Sequence, residues 1–421
     1  METTIFQLKK EVEEILTTNI LPYWMDKMID VQHGGFYGRI NGQEVLMPEA
    51  EKGAILNLSL IHISEPTRLL MPEAEKGAIL NARILWNFSS AYRLLHKPEY
   101  LETATRAKRE IIDRFYDKEF GGIYWSISAE DRPLDTKKQI YAIGFAIYGL
   151  SEYHRATGDN EALEYAIRLF HDIEAHSFDR KKNGYFEALT REWEELDDMR
   201  LSNKDANERK TMNTHLHILE PYTNLFRVWK DDYLKHQLYN LVRLFIDRIL
   251  DTDTSHLQLF FNDDWESQYH IISYGHDIEA SWLLHEAAMV LDDKTLLDEV
   301  EPRIIDIAEA GTEGFLTTAG MLYEQNVDTA SIDADRHWWV QAETIVGYIN
   351  LYQHFDDKLS LSRALQCWEF VKRNLIDREN GEWYWSLRAD GSVNRNEDKA
   401  GFWKCPYHNG RMCMEIMERF V

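Results

Sequence analysis

Six short glycine- and aromatic-rich pieces recur along the chain, at 33–38, 120–125, 183–187, 259–265, 320–324 and 380–385. Most successive pieces lie roughly sixty to seventy-five residues apart, the span of two helices and a small hairpin, so the chain reads as a structural repeat. The stretches between them carry apolar residues at three- and four-residue spacing, the mark of amphipathic helices. They predict helices over 6–20, 82–95, 100–115, 140–157, 162–175, 215–229, 233–249, 278–291, 297–310, 341–355, 359–375 and 408–417. Twelve helices in six hairpins most naturally close into an all-α fold, an (α/α)6 barrel with short β-hairpins at one end and inner helices lining a central cleft. An open α-solenoid is the main competitor. No Pro/Gly/Ser-rich linker divides the chain, so residues 1–421 are expected to form a single domain.

One stretch breaks the pattern. The twelve residues from Leu46 to Asn57 recur letter for letter from Leu70 to Asn81. The segment between, Leu58 to Leu69, reads like translated adapter DNA. True tandem repeats diverge, so an extraneous duplicated insert within 46–81 is expected, with the second copy running into the helix that carries Arg83. No function is drawn from His62, and a core role for Ile61 or Ile63 would contradict this reading.

The formal net charge of −25 argues against nucleic acid or an anionic membrane as a partner, since both need clustered Lys and Arg. Three cysteines without a CxxC pair provide neither a disulfide framework nor a zinc pattern. The N-terminus lacks a basic segment followed by an apolar run, and no apolar stretch reaches membrane-spanning length. A cytoplasmic location is the expectation. The 13 Trp, 21 Tyr and 18 Phe exceed what a core of this size requires, and flat aromatic faces suit the C–H faces of sugars. No GxGxxG at a strand–helix junction, P-loop or GxSxG elbow is present, which sets nucleotide chemistry and serine hydrolysis aside.

Five places could carry chemistry. In Ser273-Tyr-Gly-His276-Asp-Ile-Glu279-Ala-Ser-Trp282, Ser273 reads as an N-cap, so His276 falls in the first helical turn. A helix N-terminus favours neutral imidazole, the form that accepts a proton, and Glu279 three residues on is expected to hold the ring. The plain alternative is a satisfied core histidine. In Asn213-Thr-His215-Leu-His217-Ile-Leu-Glu220, residues two apart cannot face one site. Asn213, His217, Glu220 and Asn224 share a face, which reads as the wall of a wet cavity. Zinc is set aside because no third ligand of the usual kind lies nearby. Trp403 precedes a helix start at Pro406, which places His408 near another N-terminus. In Trp338-Trp339-Val-Gln-Ala-Glu343, one tryptophan turns to the core and the other is free to stack on a ligand, while Trp339 and Glu343 share a face. Arg83, in an apolar helix, needs partners. Taken alone it reads as half of a structural ion pair, with a fork of donors to substrate oxygens as the alternative.

Together these motifs, with Gly34 to Gly38, resemble the N-acylglucosamine 2-epimerase superfamily, most closely its cellobiose 2-epimerase branch. The resemblance implies an (α/α)6 barrel and cofactor-free epimerisation at C2 of the reducing-end glucose of β-1,4-linked disaccharides, with cellobiose giving glucosyl-mannose and lactose giving epilactose. It implies His276 and His408 as the paired acid/base histidines and His217 as a third. Arg83 is implied to contact sugar oxygens, with Trp339 and Trp403 as stacking surfaces and Glu279 and Glu343 as supporting carboxylates. Asn213, Glu220 and Trp282 complete the expected substrate-binding set. Inverting C2 through an enediolate needs one proton removed from one face and another returned to the opposite face, and histidine suits both tasks. A monomer or homodimer is expected. The competing readings are N-acylglucosamine 2-epimerase, a mannose aldose–ketose isomerase, an inverting glycosidase and a non-catalytic sugar-binding protein.

Overall fold

The computed structural model describes residues 2–47, 75–128, 131–202 and 204–420. Helix α1 (Glu2–Ile15) runs through a π-helical turn (Leu16–Ile20) into α2 (Leu21–Lys27). Eleven more helices follow: α3 (Ala78–Leu95), α4 (Pro98–Arg109), α5 (Ile140–Thr157), α6 (Asn160–His176), α7 (Met212–Val228), α8 (Asp232–Leu244), α9 (Tyr274–Leu291), α10 (Lys294–Ala310), α11 (Trp338–Phe355), α12 (Lys358–Asn374) and α13 (Tyr407–Arg419). Helix α3 packs on α5, α5 on α7, α7 on α9, α9 on α11, α11 on α13, and α13 back on α3. That closed ring is the inner layer of an (α/α)6 barrel and removes the open solenoid. Helices α1, α4, α6, α8, α10 and α12 lie outside it, each against an inner helix.

The two layers follow from patterning. Inner helices are apolar nearly all round: in α5 every residue from Ile140 to Tyr153 is buried. Outer helices bury one stripe, as α6 does through Ala162, Ala166, Leu169, Phe170 and Ile173. Close approach of inner helices needs small residues. A Cβ on Gly144 of α5 would lie 2.3 Å from the His217 carbonyl oxygen on α7. Four of the turns from inner to outer helices end in aspartate N-caps, Asp159, Asp231, Asp293 and Asp357, whose side chains accept from N–H groups of the next helix.

At the opposite end, short strands stitch neighbouring units together. Glu75–Gly77 pairs with Ser126–Ser128, Lys138–Gln139 with Ala188–Leu189, Lys210–Thr211 with Phe260–Phe261, Ile271–Ser273 with Glu324–Asn326, and Arg336–His337 with Ser386–Leu387. A bridge between Ile40 and Ala400 joins the first unit to the last. Buried ion pairs reinforce this end: Lys138–Asp117 at 2.9 Å, Lys210–Asp179 at 2.8 Å and Lys399–Asp377 at 2.6 Å. Each aspartate also accepts backbone N–H bonds within its own turn, so the pairing ties one hairpin to the next strand.

Every sequence-predicted helix is present. The starts of α3, α7, α9 and α11 lie one turn or nearly so earlier than the apolar periodicity indicated; in α7 and α9 the first turn carries polar residues, Asn213 and Thr214 in one and His276 and Asp277 in the other, that interrupt it. The 259–265 piece is not a tight turn of the common type. It supplies the strand Phe260–Phe261, and the equivalent turn is bracketed by the Leu250–Leu257 bridge. The expected insert falls largely outside the described residues, Ile61, His62 and Ile63 included. Of its second copy, Glu75–Gly77 forms its strand and leads directly into α3. Among the described residues no helix is long and apolar enough to cross a membrane.

Candidate active site

Each inner helix from α3 to α11 begins directly after a strand, and α13 follows the Ala400 bridge, so the N-terminal ends of all six converge at the strand-bearing end. Their dipoles favour neutral imidazoles there and stabilise negative charge that develops on a ligand. The first two turns of these helices carry Arg83, Tyr141, Asn213, His217, His276, Trp339, Glu343, His408 and Arg411.

Trp339 lies beside two of the histidines. Its ring lies 4.8 Å from that of His276 and 5.5 Å from that of His408. It is partly exposed, whereas Trp338 is buried against Trp385, which is the division of labour expected of the pair. Gly275 makes room for it: a Cβ there would lie 2.7 Å from the Trp339 ring. Trp403 is also partly exposed and stands 6.2 Å from Tyr141 and 6.1 Å from Trp125.

The three histidines are anchored through Nδ1, each differently. His408 is 2.7 Å from Glu343 Oε1, His217 is 3.2 Å from Glu220 Oε2, and His276 is 2.7 Å from Ser273 Oγ. Burial pushes all three below the usual histidine range. His276 sits at about 3, with the neighbouring His217 adding to the effect of burial. His408 is lowered by burial and then by Arg83 and Arg411, and His217 is lowered by burial despite its bond to Glu220. All three are therefore neutral near pH 7 and able to accept a proton.

Beneath them Arg411, fully buried, joins the carboxylates. Its guanidinium donates to Glu220, to Glu279 at 2.6 Å and to Glu343 at 2.7 Å, and it also meets the Tyr407 hydroxyl. Burial and Glu343 push the Glu279 carboxyl well up, and burial pushes Glu343 up. Burial acts on Glu220 in the same direction, but Arg411 and the His217 bond more than offset it and hold that carboxyl at about 2. Glu279, Glu343 and His408 present ligand atoms within 4.8 Å of one another, a set that could hold a metal. The Arg411 guanidinium already meets both carboxylates, so a second cation would face direct repulsion.

Several expectations are corrected. Glu279 does not hold His276. It turns to Arg411, and Ser273 takes the imidazole instead, leaving no side-chain cap bond at the head of α9. Trp282 is 1 % exposed and donates to Glu343 at 3.1 Å, so it stands behind the site. Glu220 and Glu343 are likewise buried beneath the histidines they anchor. Among the described residues Arg83 has no carboxylate partner. It donates to the Tyr141 hydroxyl at 2.6 Å and the Trp403 carbonyl at 3.4 Å, lies over the Phe145 and Tyr407 rings, and keeps an unpartnered Nε–H. An arginine whose charge meets no carboxylate among the described residues suits an electron-rich ligand. Asn213 is half-buried, with its Oδ1 unpartnered. His215 is structural, as the helical-face argument required: Nε2 accepts from the Tyr185 N–H at 2.9 Å and Nδ1 donates to the Thr211 carbonyl at 2.7 Å. Asn224 also leaves the cavity wall, donating to Ser151 Oγ at 2.9 Å. Sequence reasoning passed over Arg411, Tyr407 and Tyr141. Arg411 carries the same signal as Arg83, an arginine in a helix that packs into the core.

The family model for N-acylglucosamine 2-epimerase matches residues 67–410. Among curated relatives, a cellobiose 2-epimerase of Bacteroides fragilis is 65% identical over 410 residues, spanning 97% of this chain and 98% of that protein. One from Ruminococcus albus is 39% identical over 412 residues, 98% of each. The solved structure of cellobiose 2-epimerase from Bacillus thermoamylovorans B4167 superposes with a TM-score of 0.88 at 39% identity, covering 100% of both chains. The chain belongs to the N-acylglucosamine 2-epimerase family.

Proposed function

We propose that this protein is a cellobiose 2-epimerase. It inverts C2 of the reducing-end glucose of β-1,4-linked disaccharides, taking cellobiose to glucosyl-mannose and lactose to epilactose. The observation that carries the reading is the pair of neutral histidines, His276 and His408, beside the partly exposed ring of Trp339.

The sugar stacks on Trp339 and Trp403, and the pyranose opens with proton transfers at the ring oxygen and the C1 hydroxyl, where His217 assists. The open aldehyde acidifies the C2 proton. His276 removes it, giving an enediolate whose oxygens face Arg83. His408, first protonated from solvent, returns that proton to the opposite face, His276 releases the proton it took to solvent, and ring closure completes the exchange. Run in reverse, the two histidines trade roles. Every step is acid–base chemistry and calls for no cofactor. The identity to relatives named cellobiose 2-epimerase supports the choice of disaccharide over a monosaccharide.

The test is incubation with cellobiose in D2O, with and without chelator, followed by NMR. The expected product is glucosyl-mannose with deuterium at C2, whether or not chelator is present. A ketose product would point to isomerisation, released glucose to hydrolysis, and absence of deuterium at C2 would rule out a solvent-exchanging enediolate.

A further inference from the structure

The site histidines differ in what stands behind them. His408 and His217 rest on glutamates, Glu343 and Glu220, that are tied to Arg411. His276 rests on a neutral hydroxyl, Ser273 Oγ, and among the described residues nothing charged bonds its Nδ1. Ser273 is 3 % exposed and stands in the strand Ile271–Ser273, held opposite Glu324 of the neighbouring strand, so its hydroxyl is rigidly placed. We propose that Ser273 is a positioning residue: its hydroxyl accepts from Nδ1–H of His276, directs Nε2 at the sugar, and, being uncharged, keeps this ring the proton acceptor of the resting enzyme. This rests on the epimerase reading above.

The physical basis is the contrast between partners. A carboxylate behind an imidazole stabilises imidazolium through a charge-assisted bond, whereas a hydroxyl orients the ring with far less bias toward the charged form. The other charged and titratable groups around His276 do not restore that bias. His217 on α7 opposes protonation, and the Glu343 charge on α11 favours it but falls short of reversing the effect of burial. On α13, His408 is bonded to Glu343, and Arg411 is committed to the three glutamates. Within α9, Glu279 is turned to Arg411, and Asp277 points away to accept from His256 at 2.8 Å. Glu324, opposite Ser273 in the sheet, is itself pushed up by burial and Asp333.

Three variants test it, with the wild-type protein first shown to epimerise cellobiose. Ser273→Ala should lower kcat on the order of ten-fold with KM little changed, the rate equivalent of one lost orienting bond. Ser273→Thr, which keeps the hydroxyl, should restore wild-type kcat to within about two-fold, well inside the effect of one such bond. Ser273→Asp, which places a carboxylate behind the ring, should move the acid limb of the kcat/KM profile to higher pH, so that activity at pH 6 falls more than activity at pH 8. Wild-type kcat in Ser273→Ala, or an acid limb in Ser273→Asp superimposable on wild type, would overturn the assignment. An inactive wild type would instead refute the epimerase reading itself.

Discussion

Replacing Arg411 by methionine tests the buried charge network most directly. The guanidinium has 0 % side-chain exposure and bonds Glu220, Glu279 and Glu343, which are themselves buried to within 1 %. Methionine keeps much of the apolar stem's volume and removes the cation. Removing one partner of a buried pair costs about 3–5 kcal/mol, because a charge is left without compensation. The pH dependence gives the test its sign. In the wild type the Glu220 carboxyl lies at about 2, below its ordinary value. Its contribution to stability is therefore present above the unfolded value and is lost as pH falls toward 2. Without Arg411, burial governs and the same carboxyl is raised. Its protonated form then favours folding at low pH, and that contribution is lost as pH rises through the raised value. The stability deficit of Arg411→Met should thus be largest near pH 7 and should shrink toward pH 5. Urea unfolding at the two pH values measures it. An unchanged midpoint at pH 7, or a deficit of equal size at both, would refute the reasoning.

Other outcomes follow from the same geometry. His276→Ala and His408→Ala should each lower kcat for cellobiose epimerisation by about 10²–10⁴-fold, the range for loss of a general acid or base, and near-normal turnover in either would remove that residue from the proton path. Gly275→Ala places a methyl 2.7 Å from the Trp339 ring, so the indole must shift; KM should rise and kcat fall in steady-state assays while the fold is retained by circular dichroism. Lys138→Met leaves Asp117 buried, though Arg191 still bonds it, and should destabilise by about 1–3 kcal/mol in urea unfolding with little effect on kcat.

The site was legible where one residue's requirements sufficed to locate it. His217 was separated from His215 by helical face alone, and Trp338 from Trp339 by the need for one ring in the core. His276 and His408 were marked by adjacent helix-start signals. The partners were not legible. Glu279 was assigned to His276 by proximity in sequence, but it faces a guanidinium 132 residues away, a far stronger partner than an imidazole kept neutral by burial. Arg83, taken alone, read as half of an ion pair, and its observed partners include a phenol, a carbonyl and ring faces from elsewhere in the barrel.

By itself the amino-acid sequence determined the twelve-helix repeat, because apolar periodicity and glycine turns are local properties that each segment carries independently. It also determined which residue types could move protons, and where along each helix they stand. Only the tertiary structure decided that the ring closes, that six helix N-termini meet around Trp339, and that one arginine near the end of the chain binds three glutamates from α7, α9 and α11. Those outcomes depend on distances between residues far apart in the chain. In a buried site, the cost of an unpartnered charge makes the nearest complementary group in space, not in sequence, the partner that is chosen.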